Sequence, residues 1–185
     1  TPMRPANDVP LRAAVRATVL SMLGFLQLLA GRRLHQPSRN VGRVLLFGDG
    51  AHTRVYCETV VDRTPPRRPV VLVVAFRLRF VRGSWAHRLF RWESHLNYPL
   101  FVGYPGIVSK LWCAHDENDV YRGVYQWDGA EQADRYARSL SWILRAVSHR
   151  GSVQHRVYPD LIRDEWLAAD LPADADVLVG RWSAQ

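Results

Sequence analysis

The order in which hydrophobic periodicity changes after residue 69 constrains this chain more than any other feature. Residues 70–81, VVLVVAFRLRFV, read as a strand, with β-branched and aromatic residues and no Gly or Pro. Ser84 caps a helix predicted over 85–97, WAHRLFRWESHLN. Pro99, Pro105 and the neighbouring glycines break 98–106 into a loop. A second strand is predicted over 107–114 and a third over 120–127, joined by the polar turn HDEND. Asp128 begins a second helix, with Glu131 in capping-box position. Ala133, Tyr136, Ala137, Leu140, Ile143, Leu144 and Val147 then recur at helical spacing. Gly151 ends that helix, and 152–158, SVQHRVY, predicts a fourth strand.

The resulting order, βαββαβ, is the ferredoxin-like pattern. It implies an α+β fold in which both helices lie on one face of a four-stranded antiparallel sheet. The other face then needs a cover, and a second subunit would supply it, forming a dimeric α/β barrel. Upstream, Gly48-Asp49-Gly50 sits between two strand-like runs within 41–61 and predicts a hairpin. The stiff stretch TPPRRP, 64–69, divides an N-terminal extension (1–69) from the main domain (70–158). The tail, 159–185, is expected to pack on the domain or on the dimer partner, adding a short helix and an edge strand.

Composition narrows the class. Of the 185 residues, 48% are hydrophobic, enough for one domain with a real core and too many for a disordered chain. The net charge is +8, carried almost wholly by Arg, since Lys110 is the single lysine. That preference suits a GC-rich coding bias. The basic residues are dispersed, and no homeodomain, zinc-finger or RNA-recognition signature occurs, so nucleic-acid binding is not expected. Cys57 and Cys113 lack paired spacing and are expected to be reduced, buried and cytoplasmic. No cleavable signal peptide is expected. Residues 11–30, LRAAVRATVLSMLGFLQLLA, form the most apolar helix candidate. Gly24 and several polar residues argue against a membrane span and for packing on the domain or on a partner subunit, with peripheral membrane contact as the alternative. The histidines show no HExxH, His-x-His or facial-triad spacing, so no metal site is expected.

Pro105-Gly106-Ile107, Lys110 and Trp112, then a polar turn, Gly123-Val124-Tyr125, and a helix carrying Ala133 and Tyr136 resemble the small bacterial YdhR-type putative monooxygenases. These belong to the dimeric α/β-barrel superfamily, and the resemblance covers roughly 70–158. It implies the ferredoxin-like core, a homodimer, and a chamber between sheet and helices. The superfamily includes cofactor-free oxygenases of aromatic polyketides, isomerases, haem-handling enzymes and modules without known chemistry, so fold alone does not choose the reaction.

Strand alternation sorts the side chains into two faces. The economical grouping puts Phe76, Leu78, Ser109, Leu111, Cys113, Tyr121, Tyr125, Val153 and His155 under the helices. It leaves Arg77, Arg79, Lys110, Trp112, Arg122, Gln126, Gln154, Arg156 and Tyr158 on the other face, toward the second subunit. A register slip would exchange members of the two sets. The expected catalytic residues are His95, Tyr125, Glu93 and His155. A His beside a carboxylate or Tyr can move a proton near neutral pH, and Tyr or Asn can hold a developing enolate or phenolate oxygen. Asn97, Tyr121, Ser109, Trp92, Trp112, Tyr104 and Arg79 are expected to contact substrate, and HDEND to be a solvated connection.

The expected function is a cofactor-free enzyme of bacterial specialised metabolism. It would carry out oxygenation, cyclisation or isomerisation of a hydrophobic conjugated substrate. A haem protein ligated through His95 or His87 is the alternative. A non-catalytic ligand-binding or scaffold module is the third reading.

Overall fold

In a computed structural model of the chain, residues 11–79 and 102–168 are described. Helix α1 (Leu11–Ala30) leads into β1 (Leu34–His35), β2 (Val44–Leu46) and β3 (His52–Val61). The core follows as β4 (Pro69–Arg77), β5 (Ile107–Cys113), β6 (Val120–Asp128), α2 (Ala130–Val147), β7 (Gln154–Pro159) and α3 (Arg163–Ala168). The helix expected at 85–97, and the edge strand expected in the tail, lie outside the described residues.

The four core strands run β5-β6-β4-β7 in space, all antiparallel. That is the ferredoxin-like order, and the fold is α+β. The hairpin around Gly48-Asp49-Gly50 forms as the sequence implies, with Leu46 opposite His52 and Val44 opposite Arg54. Its second strand does more than close a hairpin. β3 pairs along β5 and widens the sheet, and β1 then pairs with β3. The N-terminal extension and the core therefore share one sheet.

Apolar residues from both faces of that sheet are buried. On the α2 side, Val70, Leu72, Val74, Trp112, Tyr125 and Trp127 pack with Ala133, Tyr136, Ala137 and Leu140, and with Leu28 of α1. On the opposite side, Val71, Val73, Leu111, Cys113 and Val124 pack beneath Leu45 and Phe47 of the hairpin. Leu161, Trp166 and Leu167, from α3 and its approach, complete this second layer, with Phe47 and Trp166 ring centroids 6.0 Å apart. Part of the face expected to meet a second subunit thus packs under the chain's own hairpin and α3. Every residue of β6 from Val120 to Trp127 is buried, as expected of a strand between two layers.

α1 is held by close backbone approach. Ser21 and Leu28 are buried, and a Cβ added at Gly103 would lie 1.6 Å from the Ser21 carbonyl oxygen. A Cβ at Gly24 would lie 2.3 Å from the Gly103 carbonyl oxygen. Only glycine fits at these two crossing points.

The start of α2 differs from the expected capping box. The helix begins at Ala130, Gly129 is its N-cap with φ 103°, and no side chain caps it. The Asp128 carboxylate instead accepts the backbone N–H of Arg68, tying the 64–69 stretch to the end of β6.

Candidate functional site

Cross-strand register decides which side chains meet. β5 pairs with β6 so that Lys110 faces Tyr125 and Trp112 faces Gly123. Even-numbered residues of β5 therefore share a face with odd-numbered residues of β6. The turn between them sets this parity. Asp116 N–H donates to the Val120 carbonyl, and Asp119 takes a positive φ of 60°. At the other end, Ile107 pairs with Trp127 while Ser109 pairs with Gln126, a bulge that flips the alternation once more.

The expected face assignment for β5 is therefore corrected. Lys110 and Trp112 lie under α2 with Tyr125, not toward a second subunit. Ser109, Leu111 and Cys113 lie on the hairpin side. Ser109 Oγ accepts from Arg163 Nη1 at 2.9 Å and is absent from the helix-side group.

The helix-side group centres on the single lysine. Lys110 is 4% exposed, with Nζ 3.1 Å from the Trp112 ring centroid and 4.8 Å from that of Tyr125. Burial holds its ammonium well below the ordinary value of 10.5, and the Cys113 and Cys57 thiols oppose the shift weakly. The ring faces also favour the cation, by ~2 kcal/mol when desolvated. The penalty for taking a charge out of water is several kcal/mol per ion, so burial outweighs the rings and lowers the pKa of the amine.

Tyr125 and Tyr136 flank that amine. Tyr136 Oη donates to Tyr125 Oη at 3.3 Å, and the rings meet edge-on with centroids 5.4 Å apart. Burial raises both phenols above their ordinary value of 10.0, so both stay protonated at neutral pH. Trp112 Nε1 donates to Thr59 Oγ1 at 2.9 Å, which fixes the plane of the indole under Lys110. Trp127 packs on Tyr136 with centroids 4.9 Å apart, and its buried Nε1–H has no acceptor among the described residues. Tyr104 meets Tyr136 edge-on at 5.0 Å and is half-buried, as is Tyr56, so the array extends toward the surface at these two rings. Burial also raises the Tyr104 phenol, which the Ser139 hydroxyl partly offsets.

Other expected site residues fall elsewhere. His155 lies on the helix side but pairs with Asp134 at 3.4 Å. On β7 it sits opposite Val74, two strands across and two residues along from Tyr125, or about 12 Å. Burial and the nearby Arg138 lower its pKa. Tyr121 stacks on Phe76 with centroids 5.7 Å apart and leans on His115 at 5.6 Å. Arg79 Nη2 donates to the Ser148 carbonyl at 3.0 Å. His95, Glu93, Asn97, Trp92 and the haem candidate His87 lie outside the described residues.

On the side opposite α2, two buried arginines are ion-paired. Arg122 is buried and binds Asp49 at 2.5 Å and also Asp116, beneath the Phe47 ring at 4.9 Å. The HDEND turn is thus not simply solvated. Asp116 is buried, and its second oxygen accepts the backbone N–H groups of Asn118 and Val120. Glu58, also buried, takes Arg163 at 2.8 Å and Asn40 at 2.9 Å. Both cysteines are buried and neither is in a disulfide, and burial pushes the Cys113 thiol up to about 12, which leaves it inert.

The role of Lys110 escaped the sequence reading. The available signal was its spacing from Trp112: the chain's single lysine, two residues from a tryptophan on one strand, shares that tryptophan's face whatever the register.

No family model matches the chain, and no curated protein does. Among solved structures, the chain is similar to an uncharacterised ferredoxin-fold protein from Listeria monocytogenes related to antibiotic biosynthesis monooxygenases. Identity there is 16%, coverage is 73% of this chain and 86% of that one, and the TM-score is 0.43. It is also similar to a monooxygenase-like protein from Listeria innocua, at 16% identity, covering 63% of this chain and 69% of that one, with a TM-score of 0.41.

Proposed function

We propose that the chain is a small-molecule enzyme that removes a proton from a hydrophobic conjugated ketone or phenol at Lys110, without a cofactor. The carrying observation is the placement of a buried amine over the Trp112 and Tyr125 rings, beside two protonated tyrosine hydroxyls. Lowering the pKa of a lysine brings it closer to service as a base near neutral pH. Tyr125 and Tyr136 are donors for the enolate or phenolate oxygen that forms as the proton leaves. The orphan indole N–H of Trp127 is a third donor on the same face. Aromatic walls suit a flat conjugated substrate.

The carbon-bound proton passes to Lys110 Nζ, and the electron pair moves onto the substrate oxygen. Return of the proton at another carbon completes an isomerisation. Capture of the anion by O2 completes an oxygenation, in which a methylene and O2 become a carbonyl and water. Both outcomes share the deprotonation, which is the step the array supports. This reading joins the YdhR-type resemblance to one base and named donors; specialised metabolism supplies substrates of that kind.

A hydroxylated anthrone serves as probe, with exchange of its acidic C–H followed by NMR in D2O. The protein should accelerate exchange, and Lys110→Met should lower the rate by about 100-fold or more while circular dichroism stays unchanged. Equal rates in the parent, Lys110→Met and Tyr125→Phe proteins would remove this assignment.

A further inference from the structure

Helix α1 carries an apolar stripe that no described element covers. Its inner face is committed, with Ser21 and Leu28 buried and Gly24 against Gly103. On the outer face, Val15, Val19, Met22, Leu26 and Leu29 recur at steps of four, three, four and three, and each stays about half exposed (47–57%). That is one continuous row along a 20-residue helix. Monomeric proteins rarely leave such a contiguous apolar patch without a partner.

The charge around the stripe selects the partner. Arg12 and Arg16 lie at helical spacing in line with Val19 and Leu23, and Arg32 and Arg33 follow the helix end, all four exposed. No Asp or Glu occurs between residue 11 and Asp49. A second copy seated on the stripe would bring arginine against arginine: parallel pairing opposes each Arg to itself, and antiparallel pairing opposes Arg12 to Arg32 and Arg33. An anionic surface has the complementary charge. No helix among the described residues is long and apolar enough to cross a membrane. The docked inner face also keeps α1 from being surrounded by lipid. An exposed apolar stripe with basic flanks, fixed on a folded body, has the form of a helix that lies in the plane of a bilayer interface.

We infer that α1 docks the protein onto anionic lipid surfaces, with Val15, Val19, Met22, Leu26 and Leu29 in the acyl boundary and the four arginines at the headgroups. The same helix contributes Leu28 to the layer that holds Trp112 and Tyr125, and half-buried Phe25 packs against it. The lipid surface would then lie one helix thickness from the aromatic array, a position that suits a substrate partitioned into the membrane.

The test is flotation of the full chain with two vesicle types, phosphatidylcholine alone and phosphatidylcholine with about one third phosphatidylglycerol, at low and high salt. Sedimentation velocity runs in parallel. Binding should need the anionic lipid and weaken with salt. Leu26→Glu should abolish it, and each of Arg12→Gln and Arg16→Gln should weaken it about fivefold. These positions are exposed, and unchanged thermal melting confirms folding. Absence of binding to anionic vesicles would overturn the inference, as would binding unaffected by Leu26→Glu. So would a dimer that Leu26→Glu dissociates while vesicles bind neither protein, since the occupant would then be a second copy.

Discussion

Lys110 Nζ rests 3.1 Å above the centroid of the Trp112 ring, two residues further along the same strand. A base held there carries a stability cost that depends on pH. Between its lowered folded pKa and the ordinary value of 10.5, the unfolded chain protonates Lys110 while burial disfavours the ammonium in the folded chain. The unfolded state binds more protons, so this residue makes stability rise with pH up to that value. Met matches the volume of the aliphatic stem and needs no proton. Lys110→Met should therefore raise Tm near pH 7 by about 2–4 °C, the size of a gain of roughly 1 kcal/mol in a chain of this length. The gain should shrink as the pH approaches 10. Melting curves between pH 6 and 10 check this; a constant difference would mean that Lys110 does not titrate as argued.

The tyrosine pair gives a second prediction. Tyr125→Phe leaves the Tyr136 hydroxyl buried without its partner, at a cost of about 1–3 kcal/mol. Replacing both by Phe removes the unmet group as well. The double variant should thus be closer to the parent in urea denaturation than the sum of the single variants, and equally impaired in proton exchange on the anthrone probe.

On the hairpin side, Glu58 and Arg163 are a buried pair that closes α3 onto the sheet. Truncating either alone leaves an uncompensated charge and should cost about 3–5 kcal/mol. Their coupling in a double-mutant cycle should exceed about 1 kcal/mol. The exposed helical pair Arg135–Glu131 should couple by less than about 0.5 kcal/mol by the same measurement.

Gly103→Ala tests how α1 is seated. A methyl group there meets the Ser21 carbonyl at 1.6 Å, and backbone cannot yield as a flexible side chain does. The variant should lose about 1–3 kcal/mol of stability. Hydrogen exchange should show loss of protection in α1 and little change in β4 and β6.

Much of the fold could be read from punctuation. Gly48-Asp49-Gly50 and HDEND mark turns that form, and the helical spacing from Ala133 to Val147 marks α2. The faces of β5 could not be read. Alternation has only two phases, and the choice rests on the parity of the HDEND turn and on the bulge before Ser109. An acidic turn looks solvated because its partner is distant: Arg122 also gathers Asp49, 73 residues away. The cover on the second face was illegible for a similar reason. Phe47 and Trp166 look like isolated aromatics until the fold brings them together. Lys110 looked like one more positive charge because burial, not sequence, lowers its pKa.

The single lysine also permits the most direct test. A protein labelled with [15Nζ]lysine gives one side-chain amine signal, and its chemical shift followed between pH 5 and 11 reports the ionisation of Lys110 alone. A titration midpoint well below 10.5 is the expected result. A midpoint at or above 10.5 would contradict the account, because Lys110 would then be an ordinary ammonium and no base for the proposed reaction.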